Sequence, residues 1–395
     1  MATSSNLVRI AFIEETVYGE TPAAGNFDTA RFVSEKLSGT PDTVESAQIR
    51  TDRMSSGQIV TGLKVEGGFD FELAKESQLE LLLASAMYNA WNVQALVTVD
   101  LSYNSATKEL TRASGTWAPN IVVGDFITLA GFTNSVNNCK AMVTEIVSGT
   151  VVKIQPSKDM VTEVATGTTY KRADKLSIGT TKKSFSVEKS FTDMTDKAII
   201  YKGMIAGSLD LNVAFGELVK GSFTLMGNSY LTVDLAADFI TDGRTINAPA
   251  TTQTYNGSVD MPFITTNALG SYSATGMDIQ SLGIKLNNNL NPQNVIGNIA
   301  PRDYTPGTAQ IEISMNAYLT DAAWGILGNK LTQDPFGVGF MLENSGGWYG
   351  FYIPQVQVSF EDPSSSGQNQ DVMLDMSGTA KVGASGESAL TIYRS

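Results

Sequence analysis

Short stretches of this chain alternate strictly between apolar and polar residues. Phe69-Asp-Phe-Glu-Leu73 and Ile311-Glu-Ile-Ser-Met315 do so, as do Leu209-Asp-Leu-Asn-Val213 and Val356-Gln-Val-Ser-Phe360. A period of two places successive side chains on opposite faces of a strand, so each stretch predicts a strand with one buried face. The first two run into short apolar segments, Ser77-Gln-Leu-Glu-Leu-Leu-Leu83 and Thr320-Asp-Ala-Ala-Trp-Gly-Ile-Leu327. Ser77 with Glu80 has the spacing of a capping box, and each segment predicts a short helix.

The pattern is written twice. Tyr201 to Val213 echoes Trp348 to Phe360 at a constant offset of 147, with Gly203 on Gly350. Phe223-Thr-Leu225 and Gly227 echo Leu374-Asp-Met376 and Gly378 at an offset of 151. Matching Ser77 to Thr320 gives 243, which differs from 147 by 96 residues, so the first copy carries an insertion of about that length. Its strand candidates are Ala95–Val99, Gly124–Leu129, Ala141–Val147 and Val151–Ile154, enough for a small barrel or sandwich. The expected fold is mainly β, with two tandem β-sandwich units, each with a short helix. Residues 1–89 with 179–235 form the first unit, 90–178 the inserted β domain, and 236–395 the second unit.

Composition agrees with a β-rich, ordered chain of 395 residues, 42% hydrophobic and 17% charged. The most apolar long stretch, Ala198 to Phe215, holds Lys202 and Asp210 and reads as two strands, not as a membrane helix. The start, Met1 to Glu15, lacks the pattern of a secretory signal. A net charge of −13, from 40 acidic and 27 basic residues, opposes a broad grip on phosphates. Lys171, Arg172, Lys175, Lys182, Lys183 and Lys189 gather locally, but Asp174 and Glu188 are interleaved, so a solvated face or a subunit contact is expected. The single cysteine, Cys139, permits no disulfide within the chain. There is no histidine, which removes every histidine-dependent triad and the commonest metal ligand. No catalytic residue, cofactor or metal is expected. Trp91, Trp117, Trp324 and Trp348 lie apart and are read as core or interface, with sugar binding by Trp117 left open.

The motifs Phe12-Ile-Glu-Glu-Thr-Val-Tyr-Gly-Glu-Thr-Pro22 and Ile49-Arg-Thr-Asp-Arg53, with the duplicated element order, resemble the tail tube (major tail) proteins of long-tailed bacteriophages. The resemblance implies rings of six tube domains around a DNA channel, hence three chains per ring here, stacked into the tail of the virion after assembly in the host cytoplasm. Implied partners are further copies of the chain, tail terminator and tail-tip or baseplate proteins, and DNA passing without specific binding; no membrane is involved. Within that picture Asp70, Glu72, Asp210, Asn212, Glu312, Ser314, Gln357 and Ser359 are expected on the lumen face. The loops 50–64 and 287–308, with Arg50, Asp52, Arg53, Asn288, Asn291 and Arg302, are expected to reach the adjacent ring. The competing expectation is another virion or surface module, baseplate- or adhesin-like, whose inserted domain binds glycan or a partner protein.

Overall fold

The computed structural model describes residues 4–49, 51–52, 54, 57–194, 197–234, 245–268, 277–327, 334–363, 367–384 and 386–395. The first half contains β1 (Val8–Glu14), β2 (Phe27–Ala30), β3 (Ser34–Glu35), β4 (Ser38–Glu45), β5 (Gln58–Glu72) and helix α1 (Ser77–Ala86). The strands β6 (Leu96–Thr98), β7 (Leu101–Asn104), β8 (Glu109–Arg112), β9 (Phe126–Ala130), β10 (Lys140–Ile146), β11 (Val151–Pro156), β12 (Glu163–Ala165) and β13 (Thr169–Arg172) follow. Then come β14 (Asp174–Ser177), β15 (Phe185–Phe191), β16 (Lys197–Ala214), β17 (Lys220–Gly227), β18 (Ser229–Asp234) and β19 (Ile246–Asn247). The second half has β20 (Phe263–Ala268), β21 (Ile279–Asn287), β22 (Asn291–Gln293), β23 (Asp303–Thr305), β24 (Gln310–Tyr318), α2 (Asp321–Leu327), β25 (Phe336–Asn344), β26 (Gly347–Phe360), β27 (Met373–Lys381) and β28 (Thr391–Arg394). The fold is mainly β, a set of sandwiches with two α-helices among the described residues.

One antiparallel sheet runs through both halves in the order β4, β5, β17, β16, β21, β24, β27, β26. Its apolar residues, among them Phe69, Phe71, Leu209, Leu211, Phe223, Ile284, Ile311, Ile313 and Val358, are buried in one large core with Leu79, Leu82 and Leu83 of α1. The second layer is made by β2, β1, β15 and the start of β16 in the first half, and by β20, β25, the start of β26, β28 and β14 in the second. The stretch Ala198 to Phe215 is therefore, up to Ala214, one long strand, β16, and not two. Its extra residues, at the register shifts near Gly203 and Gly207, let it bend from one layer into the other.

The halves correspond in a register different from the one the apolar echo suggests. The shift opposite Tyr201 and Met204 recurs opposite Ile353 and Val356, and the bond from the Leu73 N–H to the Val219 carbonyl (2.8 Å) recurs from Leu319 to Val372 (3.0 Å). Tyr201 thus corresponds to Ile353 and not to Trp348, and Leu73 to Leu319 and not to Met315. The slip at Leu73 is of four residues, and an even slip keeps each side chain on its own face, so alternation alone could not detect it; the slip at Tyr201 is of five because Tyr201 lies on the other side of the extra residue at Gly207. Helix α1 also differs in detail: its N-cap is Glu76 with no side-chain cap bond, so Ser77 and Glu80 form no capping box, whereas Thr320 does accept the Ala323 N–H (3.3 Å).

Strands β6 to β13 form a separate 8-stranded sheet with a core of its own that includes Trp117, Ile127, Val143, Val152 and Ile154. The sheet closes on itself, since β6 and β7 run on in one line, as do β12 and β13, and these two lines pair with each other. A closed sheet has no edge to offer another strand.

Candidate functional site

The polar face of the long sheet gathers the residues that alternation singled out. Cross-strand pairing sets Ser34, Asp70, Ser222, Asp210, Lys285, Glu312, Thr379 and Gln357 in one unbroken row. The next row holds Glu72, Lys220, Asn212, Gly283, Ser314, Ser377 and Ser359. All eight expected lumen residues thus lie in two adjacent rows of one face, exposed or half-buried. Lys285 stands between Asp210 and Glu312, so opposite charges meet across the strands. Asp210, Lys285, Glu312, Ser314, Gln357 and Ser359 line a shared open depression. The two rows are mixed in charge and hold no aromatic ring, so they offer a polyanion no base-stacking platform.

The end strands of the sheet are unlike its interior ones. Between the halves, the edge of β16 is filled by β21, from Ser208 opposite Asn287 to Ala214 opposite Ser281. Ser359 and Phe360 at the end of β26 correspond to Ser208 and Leu209, where this contact begins, and β3 and β4 correspond to β21. Among the described residues β4 pairs with β5 alone, and the end of β26 with β27 alone. The sheet therefore ends on two edges of the kind it joins at its centre.

Beyond the sheet, the β4–β5 hairpin projects as an arm with exposed Val44, Ile49, Met54, Ile59 and Val60. The hairpin of β22 and β23 lies along it, its Ile299 carbonyl accepting the Leu63 N–H (2.6 Å), and it exposes Ile296 and Ile299. Of the loop residues expected to reach outward, Asp52 is exposed at the first tip and accepts the Met54 N–H (3.2 Å). Asn291 and Arg302 are exposed on the second hairpin. Asn288 is not: it is buried, and its amide donates to the carbonyls of Ala86 (2.9 Å) and Ala206 (3.1 Å), so it anchors the hairpin base inside the chain. Arg50 and Arg53 lie outside the described residues.

The motif from Phe12 to Pro22 begins in β1 of the second layer. Phe12 packs in the core against Phe69 (5.6 Å) and Phe185 (6.4 Å). The nearly buried Glu15 carboxylate accepts four hydrogen bonds, from the N–H groups of Gly19 (2.8 Å) and Gly203 (2.9 Å) and the hydroxyls of Ser184 (2.7 Å) and Ser186 (2.8 Å). Gly203 has φ 66°, and a Cβ there would stand 3.1 Å from the Tyr18 ring. Position 203 thus needs glycine both for its backbone and for the space.

The clustered basic residues are engaged within the chain. Lys171 pairs with Asp174 (3.1 Å), Lys175 with Asp125 (3.4 Å), Lys183 with Glu14 (2.5 Å), Lys189 with Glu35 (2.5 Å) and Lys182 with Asp303, while Arg172 donates to the Asn120 carbonyl. Trp117 is fully buried and its indole N–H donates to the Thr150 carbonyl (2.8 Å), so its ring is not open to a sugar. Among the described residues no group of three or more acidic or cysteine side chains is placed to hold a metal, and no helix is long and apolar enough to cross a membrane.

Phe126 and Met142 of the closed sheet, with Ala173 just after it, pack on Phe263, Met341, Trp348, Tyr352 and Tyr393 of the second half. Glycine makes the fit possible: a Cβ on Gly339 would meet the Met142 sulfur at 2.4 Å, and one on Gly350 the Phe126 ring at 2.9 Å. The insertion follows α1 in sequence yet packs on the second layer of the other half.

Compared with known families, residues 5–380 match the family model described as phage tail tube protein. No curated protein matches the chain.

Proposed function

The chain belongs to the phage tail tube protein family, a structural component of the virion tail that assembles with itself into a tube, and from that premise we propose that three chains close one ring. Each chain supplies two tube domains, residues 1–89 with 179–235 and residues 236–395, and the inserted domain, 90–178, decorates the outside. The observation that carries this reading is the sheet with two open ends. The end of β26, Ser359 and Phe360, corresponds to the start of the β16 edge at Ser208 and Leu209, and β3–β4 to β21, and β16 already pairs with β21. Joining β26 of one chain to β3–β4 of the next repeats a contact the chain makes with itself, and only closure into a circle satisfies every edge.

In such a ring the polar rows bearing Asp70, Glu72, Asp210, Asn212, Glu312, Ser314, Gln357 and Ser359 face the channel, and DNA passes without being held on its way to the host. The two hairpins, with Asp52, Asn291 and Arg302 near their tips, reach the next ring, where their exposed isoleucines are buried. Tail terminator and tail-tip proteins cap the stack, which is assembled in the host cytoplasm. Negative-stain images of the purified chain test the arrangement: rings with six similar lobes and the mass of three chains are expected. Rings holding six chains would refute it. Shortening the β4–β5 tip should leave rings but prevent long tubes. Changing Asp70 and Glu312 together to lysine should slow DNA passage, and ejection at the wild-type rate would remove those rows from the channel.

A further inference from the structure

Where the two halves meet inside the chain, helix α1 is covered by the second half. Glu80 on its outer side is paired with Arg394 of β28, and the Tyr349 hydroxyl of β26 lies 3.4 Å from the same carboxylate. Helices α1 and α2 begin at Ser77 and Asp321, so Trp324 holds the place of Glu80. Yet Trp324 is 65% exposed, and Ile326 and Leu327 beside it are only half-buried, where Leu82 and Leu83 are buried. The second helix lacks the cover that the first one has.

The strand pairing names what should provide it. In the second half β26 meets β28 at Tyr349 opposite Arg394; in the first half β16 meets β18 at Lys197 opposite Asp234, the same place in the fold. We infer that Trp324 of one chain docks on the Lys197 end of the β16–β18 pair of the next chain in the ring, with the Lys197 ammonium over the indole face. The contact replaces the carboxylate–guanidinium pair of the inner junction by an aromatic–cation pair. It also buries the kind of large exposed ring that anchors interfaces. This docking rests on the ring reading above and adds to it the anchor at the junction between chains.

The test uses the full chain with Trp324→Ala, Trp324→Phe, Lys197→Ala and the double variant Trp324→Ala/Lys197→Ala. The readout is the concentration at which rings appear by sedimentation. Trp324→Ala should raise it by roughly tenfold or more, and Trp324→Phe by less. Lys197→Ala should raise it by about threefold, and the double variant no further than Trp324→Ala, because the two groups act on each other. The unassembled Trp324→Ala variant should unfold at the wild-type midpoint, since its ring is exposed. Rings from Trp324→Ala at the wild-type concentration would overturn this docking and leave the ring standing. A wild-type chain that stays monomeric at every concentration would overturn both.

Discussion

Replacing Glu15 by alanine should cost more than its place near the surface suggests. The carboxylate accepts two backbone N–H groups and two serine hydroxyls, all within 2.9 Å and on three separate segments. The serines can turn to other acceptors, and Ser186 already has Thr21 at 2.8 Å. The N–H groups of Gly19 and Gly203 are fixed by the backbone and cannot. Hydrogen bonds to a charged acceptor contribute about 1.5–3 kcal/mol each, and orphaned buried donors cost about 1–3 kcal/mol. Counting the two fixed donors, the loss should be on the order of 3–5 kcal/mol, with Glu15→Gln intermediate because it keeps one acceptor oxygen. Native-state hydrogen exchange gives the direct readout, for the Gly19 and Gly203 amides should lose protection together while the closed sheet, with its own core, keeps its own. If both amides stay protected to within about tenfold of wild type, corresponding to about 1.4 kcal/mol, the reasoning is refuted.

Phe126→Ala should free the inserted domain from the second half, since the buried ring stacks among Tyr393 (5.0 Å), Trp348 (6.0 Å) and Phe263 (6.2 Å) and such truncations cost about 3–5 kcal/mol. Limited proteolysis should then speed up near Ala90 and Ala173 and leave the closed sheet as a resistant fragment; an unchanged rate would count against that interface. Burial pushes the Cys139 thiol up to about 11, so a thiol reagent at neutral pH should react with the unfolded chain and not with the folded one. Burial likewise holds the Glu76 carboxyl above its ordinary 4.5, against the opposing pull of Arg31. The folded state therefore binds more protons than the unfolded one between 4.5 and the raised value, and this contribution is complete below 4.5 and fades as pH rises through it. Urea titrations from about pH 4 to about pH 7 should show that slope missing in Glu76→Gln; parallel curves for the two proteins would contradict it.

Strand faces were legible in the sequence. A period of two fixes which residues share a side, and so Asp70, Asp210, Glu312 and Gln357 could be grouped although they are far apart along the chain. The duplication, the short helices and the presence of an insertion were legible for the same reason, because each copy must bury its own apolar stripe. Register was not. Met315 resembles Leu73 in type, yet the backbone bond to Val372 assigns that place to Leu319, and a slip by an even number of residues leaves no trace in alternation.

What the sequence by itself determined was local: strands, turns, a mainly β fold and the absence of histidine chemistry. Tertiary structure alone decided that β16 crosses between layers, that Asn288 is turned inward, that the inserted sheet closes on itself, and that Trp324 remains uncovered. Each of these depends on contacts between segments that are not neighbours in the local pattern, or on which edge finds a partner. A backbone edge carries the same N–H and C=O groups whatever its side chains, so only the packed arrangement shows which edges are filled and which are left for another chain.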